Sequence, residues 1–103
     1  MEYEDVLNKL IAFRNNRGWQ KYHNLKDLAI ALNLESSEFL KAFEWKQSDE
    51  NISKTERDYL EKEIADVLIY AFYICEKLGK NPYDLINEKM KINEHRTWDT
   101  EEK

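Results

Sequence analysis

Apolar positions recur every three or four residues along most of this chain, which is the spacing of helices that bury one face. Four such segments are separated by residues that favour turns or helix caps. The predicted helices cover about residues 2–15, 25–46, 54–78 and 82–96, with an aromatic connector at 19–23. Two glycines and one proline leave little material for tight turns between strands. The pattern therefore predicts an all-α fold, in the form of a four-helix bundle.

The expected helix ends carry specific signals. Asn24 is an N-cap for the second helix, and Ser53, with a glutamate three residues later, forms a capping box for the third; Thr55 is the alternative cap. Gly79 fits the position just after the third helix, and an Asn-Pro pair at 81–82 opens the fourth. These signals place the acidic positions described next inside helices.

Two pairs of carboxylates interrupt the apolar faces of the second and third predicted helices. Glu35 and Glu38 lie three residues apart in a seam that is otherwise apolar: Leu28, Ala31, Ala42 and Trp45. Glu63 and Asp66 have the same spacing, and Asp66 is the only charged residue between positions 64 and 75. A buried carboxylate is costly unless it is paired, protonated or bound to a metal. The two pairs therefore indicate a cation site inside the bundle.

The third predicted helix has two different faces. One is an apolar stripe predicted to be core: Leu60, Ile64, Val67, Leu68, Ala71, Cys75 and Leu78. The other changes from acidic through aromatic to basic: Glu63, Asp66, Tyr70, Tyr73 and Lys77. We expect the ligand on this second face.

The type of ligand atom predicts the metal. Four carboxylates without an associated cysteine or histidine favour Mg²⁺ or Mn²⁺ over zinc. A di-iron bundle needs Glu-x-x-His on two helices, whereas the residues three before His23 and His95 are Gln20 and Ile92. Because Mg²⁺ is usually shared with substrate phosphates, a phosphate ester or anhydride is the expected substrate.

Composition limits the kinds of partner and the cellular location that we expect. The net charge of −5 and the pI near 5.1 argue against binding to nucleic acid through its backbone. We expect one domain over residues 1–103, with a polar tail from about residue 99, and a chain of this size often gains stability by oligomerising. No apolar run approaches the ~18 residues of a membrane span. Because Met1 leads straight into acidic residues, no signal peptide is expected and the cytoplasm is the predicted location.

These residues also carry a family resemblance. Glu35-x-x-Glu38, a gap of 24 residues and then Glu63-x-x-Asp66 resemble the EExxE…ExxD signature of the MazG-like all-α nucleoside triphosphate pyrophosphohydrolases. RGWQKYHNLKDLAIALNLESSEFLKAFEW and EIADVLIYAFYICEKLG are similar to the segments that hold the two acidic pairs in dCTP-pyrophosphatase-type members, and KMKINEHRTW resembles their C-terminal box. The resemblance covers roughly residues 10–98.

The resemblance implies an activity and an assembly. It implies hydrolysis of a nucleoside triphosphate to the monophosphate and pyrophosphate as part of nucleotide-pool housecleaning, with Mg²⁺ bound by Glu35, Glu38, Glu63 and Asp66. It also implies that helices of two subunits complete each site, in a homodimer or homotetramer. In the mechanism that we expect, water attacks the α-phosphorus and Glu38 accepts its proton.

The resemblance also assigns substrate contacts. Near the phosphates it places Lys89, Asn93 and Arg96, of which the two cations would offset charge on the leaving group. Around the base and sugar it places Trp19, His23, Trp45 and Tyr70. The chain departs from the family pattern in having serines at 36 and 37, where Ala or Gly is usual, and Thr-Trp at 97–98 in place of Tyr-Pro.

Two other interpretations are compatible with the sequence. The chain would be a non-catalytic helical interaction or regulatory module if the seam carboxylates paired with basic residues of a partner. It would be a related all-α enzyme if the substrate were dUTP or phosphoribosyl-ATP.

Overall fold

The computed structural model describes residues 2–46 and 51–95, and these form four α-helices, one short 3₁₀ helix and no strand. The helices are α1 (Tyr3–Asn16), α2 (Leu25–Lys41), α3 (Lys54–Leu78) and α4 (Pro82–Glu94), with the 3₁₀ helix at Gln20–Tyr22. The predicted all-α architecture with four helices is confirmed. Arg96, the Thr-Trp pair after it and the predicted polar tail lie outside the described residues.

The predicted helix caps are present. The side chain of Asn24 accepts a hydrogen bond from the backbone N–H of Asp27 at 2.9 Å. At the start of α3, Ser53 Oγ accepts from the N–H of Glu56 at 3.1 Å, and Glu56 Oε1 accepts from the N–H of Ser53 at 2.9 Å. Gly79 ends α3 with a φ of 72°, a conformation that glycine adopts without strain.

The prediction that α2 runs to about Lys46 is wrong, because the helix ends at Lys41. The N–H of Ala42 bonds to the carbonyl of Phe39, three residues back, and further turns follow. Trp45 then has a φ of 73°, which is unusual for a bulky side chain. The chain must reverse here because α3 packs back along α2, and a longer helix would carry it away from that contact.

Polar side-chain contacts connect α3 to α1. The Tyr73 hydroxyl donates to the backbone carbonyl of Leu10 on α1 at 2.7 Å. Arg14 on α1 lies 3.4 Å from Glu76 on α3. The closest helix packing is between α2 and α3, where Leu28 is buried, and α1 contacts α3 less extensively. Among the described helices, α2 and α3 therefore form the most extensive pair.

The apolar stripe of α3 predicted to be core is only partly buried by this chain. Ile64, Leu68 and Leu78 are about half exposed, whereas the other members of the stripe are partly covered. The accessible surface of the chain is 8237 Å², compared with about 6,200 Å² for a typical folded monomer of this mass. The prediction was wrong because helical spacing shows which face is apolar but not what covers it.

Membrane insertion has no candidate among these helices. Within residues 2–46 and 51–95, none is both long enough and apolar enough to span a bilayer.

Replacing Ser53 with alanine should lower the free energy of unfolding by about 1 kcal/mol, because the capping box at the start of α3 would lose its acceptor. Urea or thermal unfolding followed by circular dichroism measures the change. Ser36→Ala is the matched control, since the Ser36 hydroxyl bonds to the carbonyl of Asn33 within its own helix and alanine is the better helix former. An equal loss of stability in both variants would contradict the role of the cap.

Candidate metal centre and adjoining cleft

Three of the four predicted carboxylates meet where α2 packs on α3. One carboxylate oxygen from each of Glu35, Glu63 and Asp66 lies within 4.8 Å of the others, and all three residues are half-buried. The i, i+3 spacing puts Glu63 and Asp66 on the same side of α3, facing the turn of α2 that carries Glu35. The structure therefore brings together acidic groups that are 28 or more residues apart in sequence.

The electrostatics of this acidic cluster suit a cation. Burial raises the pKa of the Glu35 carboxyl, and the negative charges of Asp66, Glu63 and Glu38 raise it further. Within the described part of the chain, no lysine, arginine or histidine forms an ion pair with Glu35, Glu63 or Asp66. Carboxylate oxygens are the ligands that Mg²⁺ and Mn²⁺ prefer. The cluster therefore fits the predicted metal in both ligand type and unbalanced charge.

Glu38 lies beside the acidic cluster but is not one of the three clustered groups. Its side chain is 46% exposed, and its Oε2 lies 3.7 Å from Nζ of Lys41 on the next turn of the helix. An exposed pair of this kind contributes little to stability. The Glu38 carboxylate is thus held only weakly by Lys41.

Tyr59 is a contact of the acidic site that the sequence interpretation missed. Its hydroxyl donates to the backbone carbonyl of Glu38 at 2.6 Å and lies 3.5 Å from Glu38 Oε1. Tyr59 is four residues before Glu63 and so belongs to the same helical face. The helical spacing of Tyr59 was visible in the sequence, but the predicted ligand face of α3 was taken to begin at Glu63, one turn later.

The serines between the two glutamates of α2 face the backbone of their own helix. The hydroxyls of Ser36 and Ser37 donate to the carbonyl of Asn33 at 2.9 and 3.0 Å. These bonds occupy the hydroxyl protons within α2.

An aromatic cleft adjoins the acidic cluster. It consists of two connected hollows of about 340 and 420 Å³ that share Trp19, His23 and Tyr70 in their walls. The larger hollow also reaches Asp66. Burial, together with the charges of Glu35 and Asp66, raises the pKa of the Tyr70 hydroxyl. Three residues predicted to surround the base therefore lie next to one of the predicted metal ligands.

The cleft has further walls that the sequence interpretation did not assign. Tyr22 and Asp27 line the smaller hollow, and Lys9 lines the larger one. Tyr73, which the sequence had placed on the ligand face of α3, also lines the larger hollow. Asp27 accepts a hydrogen bond from the side-chain amide of Asn24 at 2.8 Å. The position of Lys9 had no signal in the sequence, because α1 contributes to the cleft only through its packing on α3.

His23 is the buried polar residue of the cleft. It is 9% exposed, and its ring meets that of Tyr73 edge-on with centroids 4.5 Å apart. Its Nδ1 atom is buried and has no hydrogen-bond partner among the described residues. Burial lowers the pKa of His23, and the nearby charge of Arg14 lowers it further. The imidazole is therefore neutral at pH 7.

Three described residues that were predicted to contact the substrate do not line the cleft in this chain: Trp45, Lys89 and Asn93. Trp45 is 95% exposed in the turn after α2. Lys89 is exposed on α4 and forms no ion pair with the clustered carboxylates within the described residues. Asn93 is half-buried one turn further along α4, and Arg96 lies outside the described residues.

Comparison with known proteins assigns the family. The model of the MazG-like family matches residues 30–103, a range that contains both acidic pairs. The chain belongs to the MazG-like family. The resemblance inferred from the acidic signature is thereby confirmed.

Named relatives of this MazG-like chain are pyrophosphatases. It is similar to dCTP pyrophosphatase 1 of Homo sapiens, with 31% identity over 97 residues, and to that of Bos taurus, with 29% identity. Each alignment covers 90% of this chain but 57% of the relative, so the chain spans little more than half the length of these proteins. A crystal structure of a pyrophosphatase from Archaeoglobus fulgidus DSM 4304 superposes with a TM-score of 0.83 and 38% identity, covering 88% of this chain and 87% of that one.

Replacing Glu35 with glutamine should stabilise the metal-free MazG-like chain at neutral pH. Because the pKa of Glu35 is higher in the folded than in the unfolded chain, its ionisation opposes folding. This destabilising contribution is absent below the ordinary pKa of glutamate, about 4.3. It grows as pH rises from that value through the raised pKa of folded Glu35, so the free energy of unfolding falls over this range. Thermal unfolding of both proteins in EDTA from pH 4 to 8 should therefore show melting temperatures that diverge as pH rises.

Two controls separate this effect from other titrations. Glu61→Gln changes an exposed glutamate of α3 and should leave the pH profile parallel to that of the wild type. His23 titrates in the opposite sense, because its lowered pKa makes stability rise with pH, but it is present in both proteins. Added Mg²⁺ should stabilise the wild type more than Glu35→Gln. Parallel profiles for wild type and Glu35→Gln would contradict the repulsion within the acidic cluster.

Proposed function

We propose that this chain is a Mg²⁺-dependent nucleoside triphosphate pyrophosphohydrolase, which converts a (deoxy)nucleoside triphosphate to the monophosphate and pyrophosphate and clears the nucleotide pool. The observation that carries the proposal is the acidic cluster of Glu35, Glu63 and Asp66 at one end of an aromatic cleft. Membership of the MazG-like family and similarity to two kinds of pyrophosphatase support it. Triphosphates have the matching chemistry, with anionic oxygens that share a metal and a flat base that stacks on aromatic rings.

The carboxylates hold the phosphate end of the substrate. Glu35, Glu63 and Asp66 would hold Mg²⁺, with Glu38 on the adjacent turn as a fourth ligand. The bound ion supplies neutralisation of phosphate charge and orientation of the reacting groups. The absence of basic partners for the three clustered groups in the described chain supports this assignment.

The chemical step is attack of a water oxygen on the α-phosphorus. A new phosphorus–oxygen bond forms, the bond from the α-phosphorus to the oxygen that bridges to the β-phosphorus breaks, and pyrophosphate leaves. The water proton passes to the second oxygen of Glu38, whose exposure and position outside the cluster suit a proton acceptor. Lys89, Asn93 and Arg96 bind the departing phosphates, and the two cations offset their charge.

The aromatic cleft holds the base and sugar. Trp19 and Tyr70 supply ring surfaces for stacking. His23 is neutral and has a buried ring nitrogen without a protein partner, so it supplies a hydrogen bond of the kind that a base edge accepts or donates. The two connected hollows are within the size range of small-molecule sites.

A second copy of the chain completes the site in a homodimer or homotetramer. The half-exposed apolar face of α3 and the large accessible surface support association. Trp45 is almost fully exposed and is held in a backbone conformation that a tryptophan rarely adopts. This geometry supports a role for Trp45 at the cleft of the partner rather than at that of its own subunit.

The purified protein should hydrolyse at least one nucleoside triphosphate in a panel of ribo- and deoxyribonucleotides with Mg²⁺, and ³¹P NMR should show pyrophosphate as a product. Asp66→Asn should lower kcat at least about 100-fold, because it removes a charged ligand. Glu61→Gln changes an exposed acidic residue on the same helix and should keep wild-type activity.

The products separate this assignment from the alternatives. Orthophosphate in place of pyrophosphate would show that the reaction is misassigned. No hydrolysis of any nucleotide, and no thermal stabilisation by Mg²⁺ with nucleotide, would favour the non-catalytic interaction module. Activity confined to dUTP or phosphoribosyl-ATP would place the chain with the related all-α enzymes.

Mixed oligomers should reveal whether Trp45 acts in a neighbouring subunit. Trp45→Ala and Asp66→Asn subunits carrying different tags are co-expressed, and the mixed species is purified through both tags. If each site combines Asp66 of one subunit with Trp45 of another, a mixed dimer has one intact site and about half of the wild-type activity. If both residues serve the same subunit, its activity equals the average of the two variants.

A further inference from the structure

We infer that Tyr59 is a positioning residue that holds Glu38 in place as the fourth carboxylate of the metal centre. The inference rests on the proposed function, since it concerns the same site. It adds a residue outside the acidic signature, and it acts through an interhelical hydrogen bond.

The hydrogen bond from Tyr59 satisfies a backbone carbonyl near the end of α2 that has no intrahelical donor. The last carbonyls of a helix lack an intrahelical partner. The carbonyl of Glu38 would ordinarily accept from the N–H of Ala42, but that N–H bonds to the carbonyl of Phe39 instead. The Tyr59 hydroxyl, at 2.6 Å, takes its place. The turn of α2 that bears Glu38 is thereby tied to α3.

The same bond sets the distance between the two halves of the metal centre. Tyr59 is one helical turn before Glu63, so its side chain and the Glu63 carboxylate leave α3 on the same face. The hydrogen bond from Tyr59 to the Glu38 carbonyl therefore fixes the position of the Glu38 backbone relative to Glu63. Lys41, the other polar neighbour of the Glu38 carboxylate, lies 3.7 Å away in an exposed pair and cannot provide this constraint.

The Tyr59 hydroxyl is also close to the carboxylate that it positions. Glu38 Oε1 lies 3.5 Å from it, at the long limit of a hydrogen bond. Because the hydroxyl has one proton, it donates mainly to the Glu38 carbonyl and shares that proton only weakly with the carboxylate. Loss of such outer partners of ligating carboxylates commonly weakens metal binding. Phenylalanine at this position would retain the ring packing and lose both interactions.

The test is Mn²⁺ binding to the full-length protein without nucleotide, measured by isothermal titration calorimetry or by the EPR signal of free Mn²⁺. Tyr59→Phe should weaken binding about three- to tenfold. Tyr73→Phe is the matched control, because it removes a hydroxyl-to-carbonyl bond of similar length, to Leu10, that involves none of the four carboxylates or their backbone. It should lose comparable thermal stability but retain the Mn²⁺ affinity of the wild type.

A double-mutant cycle shows whether Tyr59 acts through Glu38. In a Glu38→Gln background, Tyr59→Phe should have little further effect on Mn²⁺ affinity. Equal affinities for wild type and Tyr59→Phe, additive effects in the cycle, or an equal loss in Tyr73→Phe would overturn the inference. If the wild type binds no Mn²⁺ and hydrolyses no nucleotide, the proposed function itself is wrong, and this result is distinct from those three.

Discussion

The packing of α3 along α2 is the contact on which both the fold and the candidate site depend. It buries Leu28, and it also brings the carboxylates of Glu35, Glu63 and Asp66 to within 4.8 Å of one another. Repulsion between these like charges opposes the packing of α3 on α2. In the absence of metal, the free energy gained from apolar burial and from the interhelical tyrosine hydrogen bonds must therefore exceed this repulsion. A bound cation would turn the same cluster from a destabilising feature into a stabilising one.

Local signals account for what the sequence predicted well. The caps at Asn24 and Ser53 and the break at Gly79 depend on neighbouring residues, so they were visible before any tertiary contact was known. The meeting of Glu35 with Glu63 and Asp66 followed from helical spacing and the cost of burying charge. The end of α2 at Lys41 was not predictable in this way, because it is imposed by the return of α3. Helical spacing places Tyr59 on the face of Glu63, but the hydrogen bond from its hydroxyl to the Glu38 carbonyl was not predictable, since a bond to the backbone of another helix leaves no periodic pattern.

The aromatic cleft shows how a short connector acquires a role from its surroundings. Trp19 and His23 flank the 3₁₀ helix, where local sequence suggests only an irregular link. Packing against Tyr73 buries His23 and keeps it neutral, so the ring offers a hydrogen bond rather than a charge. The acidic and aromatic halves of the site therefore differ in origin. Regular helix geometry assembles the first, and the course of the connector assembles the second.

The half-exposed apolar stripe of α3 has a thermodynamic consequence under the proposed assembly. When a second copy covers such a stripe, folding and association share one equilibrium, and a melting temperature is defined only at a stated protein concentration. For a dimer that unfolds directly to separate chains, each tenfold dilution shifts the balance by about 1.4 kcal/mol toward the unfolded state. The amount of chain that a cell makes would then be one of the factors that set how much of it is folded.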